Sequence, residues 1–294
     1  MPRFPLGIYR KDQNPIMPQQ FTNRAQLSYN GTVVVSNTVI GEISDVLSIS
    51  KTALQDTYTV GEEVTYVVNL INSGTVGLTD LTLTDDLGLG TGTTVPLSVS
   101  ADTVRYFVNG VPQPTPTVTG GNALTVVGIN VPAGGNATIV YETSVNSFAS
   151  PETGAQIVNT VTASGSVASV SASETITAAD GPVLSVSKSL SPVSVPDNGT
   201  LTYTFLIQNS GNAATEAGDN VILSDTFNPI LSDISVTYNG ATMPATDYTY
   251  DEATGAFATV AGAVEVPAAT FTQATDGSWI ITPGSATLTI TGTV

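Results

Sequence analysis

The chain of 294 residues contains no cysteine and no histidine. Without cysteine there are no disulfides and no thiolate metal sites. Without histidine the commonest general base and metal ligand near neutral pH is gone. Positive charge is scarce as well: 7 Lys and Arg stand against 24 Asp and Glu, a formal net charge of −17. Such a surface repels nucleic acid and anionic membranes, so neither is an expected partner. No apolar run reaches membrane-spanning length, and no membrane insertion is expected. The first twenty residues, MPRFPLGIYRKDQNPIMPQQ, hold no continuous apolar stretch of the kind a secretory leader needs. Either a leader has been trimmed or export follows another route, and Met17 is an alternative start.

Thr, Val, Ser, Ala and Gly dominate instead, with 41% hydrophobic and only 11% charged residues. That balance opposes disorder and favours β-structure rich in turns. The decisive pattern is an internal repeat. VLSISKTALQ (Val46 to Gln55) matches VLSVSKSLSP (Val183 to Pro192), and VTYVVNLINSG from Val64 matches LTYTFLIQNSG from Leu201, both with an offset of 137. LTLTDDL from Leu81 matches VILSDTF from Val221, where a three-residue insertion in the second copy lengthens the offset to 140. ATIVYETSV (Ala137 to Val145) matches ATLTITGTV (Ala286 to Val294). Within these segments apolar residues recur with period two: Val64, Tyr66, Val68 and Leu70 share a face, as do Leu201, Tyr203, Phe205 and Ile207. Strands of this kind, bounded by Asn-Gly, Ser-Gly and Pro-rich turns, predict an all-β chain of two tandem Ig-like antiparallel sandwiches.

The copies differ at their ends. Copy one continues into IVNTVTASGSVASVSASETIT (Ile157 to Thr177), whereas copy two reaches Val294 without a counterpart and is expected to lack its closing strand or hairpin. A counterpart stands at the front: FTNRAQLSYNGTVVVSNTVIGEI (Phe21 to Ile43) resembles the tail of copy one. Asn23 lies 28 residues before Lys51, and Asn159 lies 29 before Lys188. The expected organisation is a flexible extension over 1–20, a donor-strand arm over 21–44, one sandwich over 45–180 and an incomplete one over 181–294. The donor strand is expected to carry Phe21, Asn23, Ala25, Leu27, Tyr29, Val33 and Val35. A sandwich lacking an edge strand can be completed by strand addition from another chain. A head-to-tail contact of that kind is open-ended and propagates a filament. The competing reading is that the arm merely extends the first sandwich.

Lysine occurs at positions 11, 51 and 188 alone, and the last two are equivalent. Period two puts Lys51 with Leu47 and Ile49, and Lys188 with Leu184 and Val186, on core-facing positions. Asp85 is in phase with Leu81 and Leu83, Asp225 with Val221 and Leu223, Asn159 with Ile157 and Val161, and Asn23 with Phe21, Ala25 and Leu27. Each sandwich is thus expected to bury a Lys, an Asp and an Asn, the second receiving its Asn from the arm. An unpaired buried charge is costly, so the same placement in both copies points to a role. A desolvated neutral lysine can attack the asparagine carbonyl, with the aspartic acid assisting the departure of ammonia. The product is a Lys51–Asn159 isopeptide bond within the first sandwich and a Lys188–Asn23 bond between subunits. A buried salt bridge with the asparagine hydrogen-bonded nearby fits the sequence equally.

LSISK, VTYVVNLINSG, LTLTDD, PAGGNATIVYE and IVNTVT resemble the bacterial surface family known as conserved repeat domain of unknown function eleven. The resemblance covers most of Gln20 to Val294, with copy two departing between Met243 and Thr282. It implies tandem Ig-like modules on a bacterial surface, especially a Gram-positive one. Self-formed Lys–Asn bonds are familiar from surface-protein and pilin sandwiches with similar strand roles. That chemistry carries directly to Lys51, Asp85 and Asn159, and to Lys188, Asp225 and Asn23 only through strand exchange.

The expected function is therefore a structural subunit of an extracellular filament on a cell or spore surface, partnered by further copies of itself, with no cofactor and no metal. The alternative is an adhesin or stalk module that binds an unknown host or surface ligand through YTYDEATGAFATV, from Tyr248. That stretch also reads as a hairpin around an Ala-Thr-Gly turn. An enzyme is disfavoured, since no serine–base pairing is visible; the only catalysis expected is self-crosslinking. The acidic pairs Asp85-Asp86 and Glu62-Glu63 have the chemistry of calcium ligands, without a spaced oxygen-ligand loop. The basic residues Arg3, Arg10 and Lys11 suit either docking on an acidic neighbour or a free tail.

Overall fold

The computed structural model describes residues 19–43, 46–90, 92–165 and 167–294. The extension with Arg3, Arg10 and Lys11 lies outside the described residues. The chain begins with β1 (Gln19–Asn23), β2 (Gln26–Tyr29), β3 (Thr32–Val35) and β4 (Val39–Ile43). The first sandwich comprises β5 (Leu47–Ala53), β6 (Thr57–Tyr58), β7 (Glu63–Asn72), β8 (Leu78–Asp85), β9 (Leu97–Val99), β10 (Arg105–Val108), β11 (Val111–Gln113), β12 (Thr117–Thr119), β13 (Leu124–Val131), β14 (Asn136–Val145), β15 (Gln156–Ser164) and β16 (Val170–Ala178). The second comprises β17 (Leu184–Ser191), β18 (Thr200–Asn209), β19 (Ser224–Thr226), β20 (Ser232–Tyr238), β21 (Ala241–Thr242), β22 (Tyr248–Asp251), β23 (Ala256–Thr259), β24 (Thr270–Gln273), β25 (Trp279–Thr282) and β26 (Gly284–Thr293). Among the described residues the only helices are two single 3-10 turns.

The first sandwich packs the sheet β11-β10-β14-β7-β5, with β9 also on β14, against β12-β13-β8-β15-β16-β6. Alternation along β7 explains the packing: Val64, Tyr66, Val68 and Leu70 are wholly buried, while the residues between them point outward. The second sandwich repeats the first sheet as β17-β18-β26-β20-β21 and faces it with three strands, β19-β23-β22. The sequence repeat is a repeat of pairing: Lys51 stands opposite Val68 and Lys188 opposite Phe205. Likewise Tyr141 pairs with Tyr66 and Ile290 with Tyr203. Each sandwich has its own core. In the second, Phe227 stacks on Tyr203 with centroids 4.9 Å apart and tilts against Phe257 at 6.0 Å.

Two features distinguish the second sandwich. Between β23 and β26 it carries an extra hairpin, β24–β25, where the first sandwich has a short turn. This hairpin reaches back, and the Trp279 backbone N–H donates to the Ser147 carbonyl at 2.7 Å. Asn212 makes a second joint between the units, donating to the Ala179 carbonyl at 2.9 Å and the Pro151 carbonyl at 3.2 Å. The other feature is an absence among the described residues. In the first sandwich β8 is flanked by β13 and β15, and β16 packs over the inner face of β5. In the second, β19 pairs with β23 alone and nothing covers β17. Leu47 is 3% exposed, whereas its equivalent Leu184 is 40% exposed and Val186 reaches 63%.

The stretch from Tyr248 is the hairpin β22–β23, turned by Asp251, whose carboxylate accepts from the Ala253 N–H and the Thr254 hydroxyl. Its Phe257 is buried in the core, while the turn residues Asp251, Glu252, Ala253 and Thr254 are exposed.

The separateness of the two cores is testable. Phe227→Ala removes an aromatic side chain from the second core only, at a cost of about 3–5 kcal/mol. Thermal unfolding is expected to show one transition lowered and the other unmoved; equal shifts in both would show a single shared core.

Candidate functional site

The first strand of one sheet and a strand of the other bring Lys51 and Asp85 into contact, and a neighbouring strand buries Asn159 on the same face as Asp85. Lys51 projects inward from β5, while Asp85 ends β8 across the sandwich. Val161 of β15 pairs with Asp85, so Asn159, two residues along the strand, faces the same way. The Lys51 ammonium donates to Asp85 Oδ2, with both side chains fully buried. The Tyr141 hydroxyl donates to the same oxygen, and the Leu87 backbone N–H donates to Oδ1 at 3.0 Å. Tyr141 stacks on its cross-strand partner Tyr66 with centroids 5.7 Å apart, and Lys51 Nζ lies 4.6 Å from the centre of the Tyr66 ring.

Asn159 is the exception in this network. It is completely buried, yet neither Nδ2 nor Oδ1 has a hydrogen-bond partner, and the Tyr66 hydroxyl is similarly unpartnered. Each such group forfeits about 1–3 kcal/mol. Native interiors rarely leave an amide wholly unpaired.

Burial sets the electrostatics. Desolvation pulls Lys51 down from 10.5 to about 8, with the Asp85 carboxylate opposing most strongly and Asp86 and Glu174 less. At pH 7 roughly a tenth of such a lysine is the neutral amine, against well under a thousandth for a free one. Burial also pushes the Tyr141 hydroxyl well above its usual range, reinforced by Asp85, so it stays protonated as a donor. A buried amine and a carboxylate hydrogen-bonded to it thus lie in the same core as a buried amide with no hydrogen-bond partner. Tyr66 and Tyr141 were not among the sequence-derived site residues, although Tyr66 lies in the apolar stripe of β7. The buried Asn72 and Asn209 also escaped notice. Asn72 Nδ2 ties the carbonyls of Val76, Val131 and Pro132, and Asn209 Nδ2 those of Ala213 and Pro267, each closing the end of its sandwich.

The equivalent place in the second sandwich is half assembled. Lys188 pairs with Asp225, and the Thr226 N–H donates to Asp225 Oδ1 at 2.9 Å. Lys188 Nζ lies 4.4 Å from the centre of Tyr203 and 5.4 Å from those of Phe205 and Phe227. The expected burial of Lys188 does not hold within one chain: its side chain is 39% exposed, because nothing in the described residues covers β17 as β16 covers β5. Ile290 occupies the position of Tyr141, so Asp225 has no tyrosine donor from that strand.

Asn23 is not brought to Lys188. It lies in β1, opposite Val39, in an arm whose strands pair only with one another. The arm does not extend a sheet of the first sandwich. Phe21, Asn23, Ala25, Leu27, Val33 and Val35 are all exposed; Tyr29 pairs with Thr32 through the backbone. Leu27 pairs with Val34, whereas Val33 and Val35 pair with Ser28 and Gln26 and therefore lie on the opposite face. The cause is the two-residue Asn30-Gly31 turn, with φ of 44° and 82°, which couples odd positions to even ones.

Asp86 Oδ1 accepts from the N–H groups of Gly88 and Thr160, and Glu62 from that of Thr59.

No protein-family model matches the chain, and no curated protein matches it. Among solved structures it is similar to the major pilin subunit BcpA of Bacillus cereus, at 11% identity over 91% of this chain and 73% of that one, with a TM-score of 0.35. It is also similar to a 35 kDa C-terminal fragment of a major pilin of Streptococcus agalactiae, at 13% identity over 48% of this chain and 58% of that one, TM-score 0.35. The full-length major pilin SpaD of Corynebacterium diphtheriae gives 14% identity over 80% of this chain and 59% of that one, TM-score 0.34. The chain therefore spans less than two thirds of the length of two of these three.

The depressed lysine predicts a pH dependence. With its folded pKa near 8 and its unfolded one at 10.5, Lys51 binds more protons unfolded between those values, so stability rises with pH there. In an Asn159→Ala chain, which keeps the lysine free, stability should increase by about 1–2 kcal/mol from pH 8 to 9.5. Adding Lys51→Met and Asp85→Leu should flatten that rise; urea titrations at each pH would expose a rise that persists.

Proposed function

We propose that the chain is a structural subunit of an extracellular bacterial filament, joined head to tail by strand addition and locked by Lys–Asn isopeptide bonds. The observation carrying this reading is the uncovered inner face of the second sandwich, where Leu184, Val186 and Lys188 lie open beside the unpaired edge of β19. The free arm supplies the complement. A lone two-stranded hairpin is marginally stable in water, and this one exposes Phe21, Leu27, Val34, Val39 and Ile40. Placed by the repeat, a neighbour's arm adds to β19 as β15 adds to β8, with its Ala25 opposite Asp225 and its Asn23 beside Lys188. The arm leads into β5, which ties it to its own first sandwich. The contact joins two different surfaces, so it propagates rather than closes.

The bond chemistry follows from the first site. Asp85 accepts a proton from the Lys51 ammonium and frees its lone pair. The Nζ–Cγ bond to Asn159 forms, and the carbonyl electron pair moves onto Oδ1. Asp85 gives its proton to Nδ2 and takes the excess proton from Nζ. The Cγ–Nδ2 bond then breaks as the carbonyl reforms, and ammonia leaves with Asp85 protonated. The product accounts for the idle Asn159 amide: Nδ2 is gone, and the new carbonyl accepts from the protonated acid. Asp225 fills the same role between subunits.

Purified full-length protein is expected to form thin filaments under the electron microscope, and deletion of residues 1–45 to abolish them. Filaments from the deletion would overturn strand addition. Asn23→Ala and Lys188→Ala should still assemble by strand pairing but fall to monomers in hot detergent, where the parent remains a ladder. A parent that dissolves to monomers would eliminate the intersubunit bond and leave strand pairing as the joint.

A further inference from the structure

In the first sandwich two strands close the side on which Lys51 lies. β15 pairs with the edge of β8, and β16, paired with β15, packs over the inner face of β5. In the second sandwich both places are open among the described residues: β19 has an unpaired edge, and β17 leaves Leu184 and Val186 exposed. A single added strand would take the place of β15 and leave β17 bare. Completing this side takes two strands.

We propose that the arm docks on the second sandwich of another copy as an intact hairpin, its leading strands β1 and β2 extending β19 and its returning strands β3 and β4 covering β17. This rests on the strand-addition reading above and specifies what is added. The arm already has the pairing required. In β15–β16, Ile157 stands opposite Ile176 and Asn159 opposite Glu174; in β1–β4, Phe21 stands opposite Gly41 and Asn23 opposite Val39. Toward the turn Ala163 pairs with Val170, and Leu27 with Val34. Matching Asn23 to Asn159 therefore brings both strands into correspondence, with one extra residue between Val34 and Val39.

The side chains suit that placement. Ile157 and Ile176 are both buried in the first core. Their counterparts divide the volume unequally: the Phe21 ring lies across Gly41, where a Cβ would collide with it. One aromatic ring thus spans both strands of the arm, a contact that exists only while they stay paired. Phe21 and Leu27 on the leading side, with Val34 and Val39 on the returning side, are all exposed. Val39 stands where the first sandwich has Glu174, so Asn23 arrives opposite an apolar residue rather than a carboxylate. Docking buries apolar surface that a lone ribbon leaves in water.

The lack of cysteine permits a staple test. Thr22 and Ile40 are directly paired and exposed, one step out of phase with Phe21 and Asn23 and so on the opposite face. Thr22→Cys combined with Ile40→Cys places two thiols within disulfide reach. The full-length double variant is oxidised while dilute, and its intramolecular bond is confirmed by mass. Oxidised and reduced protein are expected to form filaments in equal yield under the electron microscope. Oxidised protein that stays monomeric until reductant is added would overturn the proposal, because the strands must then part. Gly41→Val gives an independent reading: by displacing the Phe21 ring it should raise the protein concentration needed for filaments by roughly tenfold, equivalent to about 1.4 kcal/mol. If the leading strand alone were donated, position 41 would be connecting chain and the parent concentration would suffice, which would equally overturn docking as a hairpin. Failure of strand addition itself shows differently, as filaments from the chain lacking residues 1–45 or as none from the parent.

Discussion

Lys51 reaches from one sheet of the first sandwich to Asp85 on the other through a region closed to water, and the residues around the pair keep both charges there. Removing two ions from solvent is costly, and their attraction repays that only when the remaining lone pairs and protons are well bonded. Asp85 meets the requirement with three donors, from Lys51, Tyr141 and Leu87. Lys51 has the carboxylate and the face of Tyr66. A pair of this kind contributes little as a salt bridge, since apolar residues of the same volume serve a core as well or better. Its value would change if the amine became an amide as proposed: both charges would vanish from the core, and a covalent link would span the two sheets.

The second sandwich has the same parts without the enclosure. Lys188 and Asp225 meet beneath an open face, and three aromatic rings supply the ammonium with part of the stabilisation that water would otherwise provide. The first site is dry because β16 and β15 close over it. Covering the second by a neighbour's arm would dry it at the moment the asparagine arrives. Docking and desolvation would then be one event, which orders the chemistry after the assembly.

The strands, the pairing of Lys51 with Asp85 and the burial of Asn159 were legible because period-two alternation fixes which side chains face inward, and the repeat fixes the register twice. What escaped depended on longer-range information. The pairing of Tyr141 with Tyr66, and hence its hydrogen bond to Asp85, requires the β7–β14 register as well as the phase of each strand. That Val33 and Val35 face away from Leu27 depends on the Asn30-Gly31 turn, which shifts parity across the hairpin. The exposure of Lys188 was invisible because its phase says inward, while no strand among the described residues covers β17 as β16 covers β5. The β24–β25 brace lies where copy two departs from copy one, so no repeat could reveal it.

If the proposed bonds form, the positions of the four residues along the chain determine how a pull on the fibre would travel. With both bonds formed, tension entering at Asn23 runs along the backbone to Lys51, crosses to Asn159, continues to Lys188 and leaves into the next subunit. The stretched backbone amounts to 28 residues before the first crossing and 29 after it. Residues 52–158 and 189–294, most of both cores, would hang beside this path as slack. Such a fibre would resist extension through covalent bonds in series while its sandwiches stayed folded, and its length under strain would be set by the two short spans rather than by the unravelling of a domain.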